Sequence, residues 1–307
     1  MAGTSLWQVV PDRVKQLKRV VKRRAKLREA DVVVVSYPKC GRTWLAAMIS
    51  HVYHQKYGVP ENRLIRFDNF HQANREIPKI FFTHNSQRFK PKARLAPLDH
   101  FRSKKVILLV RDPRDVVVSL YFHYTKRYLP KNAPGLLQPR YGDADELFDY
   151  AMSRLPKVVA FLNDWSRNLD SVDRALLVRY EDLREDPVGQ LSRIMSFIGG
   201  AFAPEQIENA AEFASFENLR EKERRHFFDS GRLHPRDDRD AGSFKVRCGK
   251  VGGYRDHFTA EQVERLDAVV ADLLVVDLGY GPPRSPAAAS GDPVTAPAVS
   301  RATMGHA

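Results

Sequence analysis

Val32-Val33-Val34-Val35-Ser36-Tyr37-Pro38-Lys39-Cys40-Gly41-Arg42-Thr43-Trp44-Leu45 decides the fold class. Four consecutive valines are apolar on both faces, as a central strand of a parallel sheet must be. Polar and turn-forming residues follow, and then an apolar-periodic run that reads as a helix. The strand, tight loop and helix bring Lys39, several backbone N–H groups and the Thr43 hydroxyl to a helix N-terminus, which attracts phosphate. The loop is not the nucleotide-kinase type, because Lys39 precedes Gly41 and no glycine stands four residues before a Gly-Lys pair.

Around that loop the chain alternates strands and helices. Strands are expected at Val32–Ser36, Ile80–Thr83, Val106–Val110 and Ala175–Tyr180, with helices near 42–57, 113–127, 145–168, 188–198, 204–213 and 260–273. This order implies an α/β domain with a central parallel sheet flanked by helices and a P-loop-like phosphate site beyond the strands' carboxyl ends. Residues 129–143 and 225–247 read as long loops of the kind that form lids or binding segments.

At 307 residues a single domain of this type can bury a substantial core. Two cysteines, Cys40 and Cys248, exclude a disulfide scaffold and suit a reducing compartment. No apolar run reaches transmembrane length and no secretion signal opens the chain, so a cytoplasmic protein is expected. The net charge of +13 is concentrated at the start, where residues 1–30 hold nine Lys or Arg against Asp12 and Glu29. Val14, Leu17, Val21 and Ala25 recur there at helical spacing. Residues 1–29 therefore read as a basic amphipathic helix, either packed on the domain edge or, through residues 13–28, in peripheral contact with an anionic membrane. Nucleic acid is not expected as a partner, since no nucleic-acid motif accompanies the charge. The domain proper spans 30–280, and the Pro/Ala/Ser/Gly-rich 281–307 reads as a disordered tail.

A second strand-to-helix junction carries charge. Val106-Ile107-Leu108-Leu109-Val110 runs into Arg111-Asp112-Pro113-Arg114-Asp115, where Asp112 can cap the next helix and Pro113 suits its first position. Arg111 stands where a guanidinium fork can grip phosphate, and Ser119 is within two turns. The alternative is a charged helix start with local ion pairs. Ile80-Phe81-Phe82-Thr83-His84 ends a further strand with a histidine, a residue suited to general-base work, though many histidines are structural.

These segments together resemble the sulfotransferases that use 3′-phosphoadenosine 5′-phosphosulfate (PAPS), over about residues 30–275. Pro38, Lys39, Gly41, Thr43, Trp44 and Leu45 match the family's 5′-phosphosulfate loop. Arg111 and Ser119 fall on the phosphate-contacting positions of its 3′-phosphate motif. Leu176–Leu183 resembles the strand ending in Tyr-Glu-Asp-Leu. Ser215-Phe216-Glu217-Asn218-Leu219 and Arg247-Cys248-Gly249-Lys250-Val251-Gly252-Gly253-Tyr254-Arg255 resemble its later nucleotide segments. The resemblance implies an enzyme that moves a sulfuryl group from PAPS to a hydroxyl or amine by in-line displacement, without metal. His84 would be general base and Lys39 would stabilise the leaving group, with Ser119 hydrogen-bonded to Lys39 until the acceptor arrives. Lys39, Cys40, Gly41, Arg42, Thr43 and Trp44, with Arg111, Ser119, Tyr180, Phe216, Arg247, Cys248 and Gly249, would bind the donor.

The chain departs from the pattern in places. Phe82 stands where the family has a lysine before Thr-His, and Cys248 replaces a lysine that Lys250 would have to stand in for. Tyr254 replaces a tryptophan and Cys40 a serine. Phe82 and Cys248 support one alternative, a 3′-phosphonucleotide-binding protein that has lost catalysis. A small-molecule phosphotransferase is the other. The acceptor is open among small molecules, carbohydrates and lipid-linked alcohols. The two thiols sit in donor loops, so a redox-sensitive pair is one reading and two ordinary reduced residues the other.

Overall fold

The computed structural model describes residues 12–84, 99–127 and 144–281. The expected loop at 129–143 and the tail beyond 281 fall almost wholly outside these residues. Four strands, β1 (Val32–Ser36), β2 (Ile80–Thr83), β3 (Lys105–Val110) and β4 (Arg174–Arg179), form one sheet in the order β2-β1-β3-β4. Every pairing is parallel, with Val32 opposite both Ile80 and Lys105, and Lys105 opposite Arg174. This register lines up Ser36, Thr83, Val110 and Arg179 along one edge. β1 lies between strands reached by opposite crossovers, so the crevice opens at the loop that follows it.

Burial follows the sequence pattern. All of β1 is fully buried, as are Val106 to Val110, while the edge strand β4 is half-exposed. Helices α2 (Arg42–Tyr57), α8 (Pro187–Ile198) and α9 (Pro204–Phe213) pack as one group. Helices α5 (Pro113–Phe122), α6 (Ala144–Arg167) and α11 (Ala260–Leu273) pack as another. Burying these apolar faces at roughly 25 cal/mol per Å² is the main favourable term in the fold. α5 starts as its sequence dictates, with Asp112 accepting from the Arg114 N–H at 2.9 Å and Pro113 in the first turn. It then passes into a π-helical turn, His123–Arg127, a wide turn that often accompanies a functional site.

Short helices that the periodicity does not announce are α3 (Asn69–Ala73), α4 (Asp99–Arg102), α7 (Tyr180–Glu185) and α10 (Phe216–Arg224). Tyr180 opens α7 rather than ending β4, because β3 offers no residue beyond Val110 to pair with it.

Helix α1 (Asp12–Glu29) forms, but its inward face is not the valine stripe. Val14 and Val21 are 40% and 58% exposed, whereas Arg23, Lys26 and Leu27 are half-buried. Lys26 lies 5.0 Å over the Phe67 ring and Leu27 packs on the core, which turns the valines outward. No helix among the described residues is long and apolar enough to cross a membrane.

Candidate active site

Loops at the carboxyl ends of all four strands enclose a cavity of about 380 Å³. Lys39, Gly41, Arg42, Thr43, Trp44, His84, Arg111, Ser119, Tyr180, Phe216, Arg247, Cys248 and Gly249 all line it. These residues lie up to two hundred positions apart in sequence. Cys40 does not join them, since its side chain points into the core with no exposed surface. Only its backbone can face a ligand. Burial pushes the Cys40 thiol up to about 12, and both cysteines are free thiols. A redox pair between them is therefore not what this geometry supports.

The loop after β1 is shaped by two residues in the left-handed region, Lys39 with φ 76° and Gly41 with φ 91°. Glycine is needed at 41 on two counts, because a Cβ there would stand 2.7 Å from a Tyr180 ring carbon. Close approach of the loop to Tyr180 thus fixes one wall. Trp44 completes it, with its indole N–H donating to the Ala214 carbonyl at 2.7 Å and its ring edge-on to Tyr180 at 5.6 Å. At the opposite loop, Gly249 (φ 61°) lies so near Phe216 that a Cβ would meet the ring at 2.6 Å.

Both readings of the Arg-Asp-Pro-Arg-Asp segment apply, one to each arginine. Arg114 is structural, bonded to Asp112 at 2.8 Å, to the Tyr280 carbonyl at 2.9 Å, and to Asp267. Arg111 faces the cavity, its guanidinium carbon 4.2 Å from the Tyr180 ring centroid. It donates to the Lys39 carbonyl at 3.3 Å and pairs with Asp115 at 3.5 Å. Its buried Nε has no hydrogen-bond partner among the described residues. A buried donor left unpaired is costly.

Two carboxylates that sequence reading passed over hold the walls. Asp115 accepts from the backbone N–H groups of Gly252 and Tyr254, both at 2.9 Å, and so ties the late glycine loop to the start of α5. Glu223, fully buried on α10, accepts from Arg127 at 2.9 Å, Lys245 N at 2.7 Å and Val246 N at 2.9 Å. One signal for it exists in the sequence. Phe216, Leu219 and Glu223 share a helix face, so a carboxylate follows two apolar residues inward.

The electrostatics of the cavity are those of an anion site. Lys39 is held down to about 7 by burial first, then by Arg127, Arg111 and Arg247, with Glu223 opposing. Lys245, a lining residue absent from the sequence expectation, is pushed well below its ordinary value by burial and by Lys39, Arg127, Arg232 and Arg42. Like charges gathered in a low-dielectric site favour a polyanionic ligand. Lys250, expected to stand in for the cation missing at Cys248, lines the cavity, and its ammonium pairs with Asp256 at 2.7 Å.

His84 stands just beyond β2. Its Nδ1 lies 2.9 Å from the Ser36 carbonyl, which can only accept, so Nδ1 carries the proton and Nε2 keeps its lone pair. Burial, Arg42, Arg23 and Lys245 lower its pKa to about 3, against the weaker upward pull of the Ser36 hydrogen bond. Among the described residues, Ser119 makes no hydrogen bond to Lys39. The expected restraint between them is not formed in this structure, although both line the cavity.

A family model described as the sulfotransferase domain matches residues 29–275. The chain belongs to the sulfotransferase family. Sulfotransferase 2A1 of Mus musculus is 28% identical over 261 residues, covering 81% of this chain and 85% of that protein. Flavonol 3-sulfotransferase of Flaveria bidentis is 26% identical over 263 residues, covering 80% and 81%. Among solved structures, mouse sulfotransferase SULT7A1 complexed with PAP aligns with a TM-score of 0.54 at 18% identity, over 84% of this chain and 90% of that one. Retinol dehydratase in complex with androsterone and inactive cofactor PAP aligns at 0.56 and 20% identity, over 88% of each chain. At those identities the structural likeness speaks for the fold. This sulfotransferase domain is accordingly a PAPS-dependent enzyme on the strength of its family. The family span leaves out most of α1, which nevertheless supplies Arg23 to Thr83, next to His84.

Proposed function

We propose that the protein transfers the sulfuryl group of PAPS to a hydroxyl of a small-molecule acceptor, with His84 as general base. The observation that carries this is the contact of His84 Nδ1 with the Ser36 carbonyl, which leaves Nε2 as the proton acceptor on a residue that lines the same cavity as Lys39. Nε2 takes the acceptor proton as the acceptor oxygen bonds to sulfur and the bond from sulfur to the phosphate oxygen breaks. The charge left on that oxygen falls to Lys39, and Thr43 and the backbone N–H groups of the loop hold the 5′-phosphosulfate. Arg111, Ser119 and Arg247 grip the 3′-phosphate, with the Gly249 backbone beside it. Trp44, Tyr180 and Phe216 flank the adenine.

The residues present suit this donor. Lys39, whose pKa is depressed by burial and then by Arg127, Arg111 and Arg247, regains its charge more easily when anionic oxygens arrive. Two free cysteines suit a reducing, cytoplasmic setting. Membrane contact through α1 and a lipid-linked acceptor are not part of this reading.

Phe82, half-buried against the core where the family's lysine would stand, favours the second reading of a donor-binding protein without turnover. Radiolabelled PAPS offered with a panel of alcohols and phenols separates the two. Transfer that falls by about 10²-fold to 10⁴-fold in His84→Ala, at unchanged PAP affinity, is the expected result. PAP binding with no transfer to any acceptor would favour the second reading.

A further inference from the structure

The cavity holds more positive charge than the donor needs, and the surplus is gathered around His84. The charges acting most on Arg247 are Cys248, Arg111 and Asp115, all at the 3′-phosphate end. Those acting on His84 are Arg42, Arg23 and Lys245. Arg42 in turn feels Arg232 and Arg23, and Lys245 feels Arg232 and Arg42. Arg23 comes from α1 and donates to the Thr83 hydroxyl, one residue before His84. Arg232 belongs to the 225–247 loop, is solvent-exposed, and stands next to Leu233, which lines the cavity.

Carboxylates are distributed the other way. Arg111 has Asp115, Arg127 has Glu223 and Lys250 has Asp256. Among the described residues, no carboxylate forms an ion pair with the side chain of Arg23, Arg42, Arg232 or Lys245. Cations kept together without a counter-ion are costly to the free protein and are stabilised by a mobile anion. The transferred sulfuryl group brings a single negative charge to this end of the cavity, fewer than the cations waiting there.

We propose that the acceptor carries an anionic group of its own, a carboxylate or phosphate ester, drawn by Arg42 and Lys245, which line the cavity with His84, and by Arg23 and Arg232 behind them, beside the hydroxyl that His84 deprotonates. This rests on the sulfotransferase reading with His84 as base. It assigns a recognition role to Arg23, which lies outside the family span, and to Arg232.

Calorimetry on the protein saturated with PAP tests it, using matched probes: phenol against para-hydroxybenzoate and hydroquinone monophosphate, and glycerol against glycerol phosphate. The anionic member of at least one pair should bind at least ~10-fold more tightly than its neutral partner, a difference of about 1.4 kcal/mol. In Arg232→Gln and in Arg23→Gln that preference should shrink to within about threefold, with PAP affinity unchanged, since neither residue is placed on the donor. If PAP binds but no anionic probe gains over its neutral partner, or the preference survives both substitutions, the proposal is wrong and the sulfotransferase reading stands. If PAP itself fails to bind, both fall.

Discussion

The Nδ1 of His84 lies 2.9 Å from the carbonyl oxygen of Ser36, the last residue of the neighbouring strand β1. Parallel pairing of β1 with β2, Val35 opposite Thr83, makes this contact possible, so the sheet register itself sets the orientation of the imidazole. With the proton on Nδ1, only Nε2 can accept from a substrate.

A base must be neutral to act, and burial, helped by the cations around His84, keeps it neutral far into acid. With a free-enzyme pKa of about 3 instead of the ordinary 6.5, protonation of His84 should cost kcat/KM nothing between about pH 8 and about pH 5. Arg23→Gln removes one of the depressing charges, so any acid limb should move to higher pH. A wild-type profile that halves near pH 6.5, unmoved by Arg23→Gln, would contradict the assignment.

Lys39 couples donor binding to protons. Its pKa of about 7 in the unliganded fold lies below the ordinary 10.5, so without donor the fold gains stability as pH rises through that interval. Phosphate oxygens beside the ammonium raise its pKa again. PAP binding at about pH 8 should therefore take up a proton, and affinity should strengthen as pH falls from about 10 to about 7. Calorimetry in buffers of different ionisation enthalpy reads the proton directly, and identical heats in all buffers would refute the coupling.

Asp115 is a positioning residue. It tethers Gly252 and Tyr254 by their backbone N–H groups and faces Arg111. Asp115→Ala removes hydrogen bonds to a charged acceptor worth about 1.5–3 kcal/mol each. PAP affinity should drop by roughly 10-fold to 100-fold, with Lys39→Met as the comparison for direct donor contact. Unchanged affinity in a folded Asp115→Ala protein would remove the tether from the account.

Glu223 carries more of the fold than of the chemistry. Replacing it with Gln leaves Arg127 without its carboxylate in a buried place, a change that costs about 3–5 kcal/mol. Thermal unfolding should shift down by several degrees, and the segment bearing Lys245 and Arg247 should become easier to cleave with protease. A variant as stable as the parent would show that Arg127 finds other partners.

The sheet was legible because its strands are runs of apolar residues closed by polar ones, with both ends of Val32–Ser36 and Ile80–Thr83 fixed by that contrast. The donor loops were legible because glycines and a lysine at a strand-to-helix turn have few other uses. Asp115, Glu223 and Lys245 were not. Asp115 acts on residues nearly 140 positions away, and a local reading sees only an acidic first-turn residue. Glu223 and Lys245 sit in charged surroundings that look solvated until the 225–247 segment folds back onto α10. The valines of α1 misled for a related reason: helical spacing reports an apolar stripe, but Lys26 over Phe67 and the Arg23 contact to Thr83 choose the face that packs.

The claim that underlies all of this is a cavity with separate seats for a 5′-phosphate and a 3′-phosphate. Calorimetric affinity for PAP beside 5′-AMP, in the parent and in Arg111→Ala, tests it most directly. The account predicts PAP bound at least about 100-fold more tightly than 5′-AMP, with most of that difference, about 2.7 kcal/mol or more, lost in Arg111→Ala. Equal affinities for the two nucleotides, or a PAP preference untouched by the substitution, would contradict it.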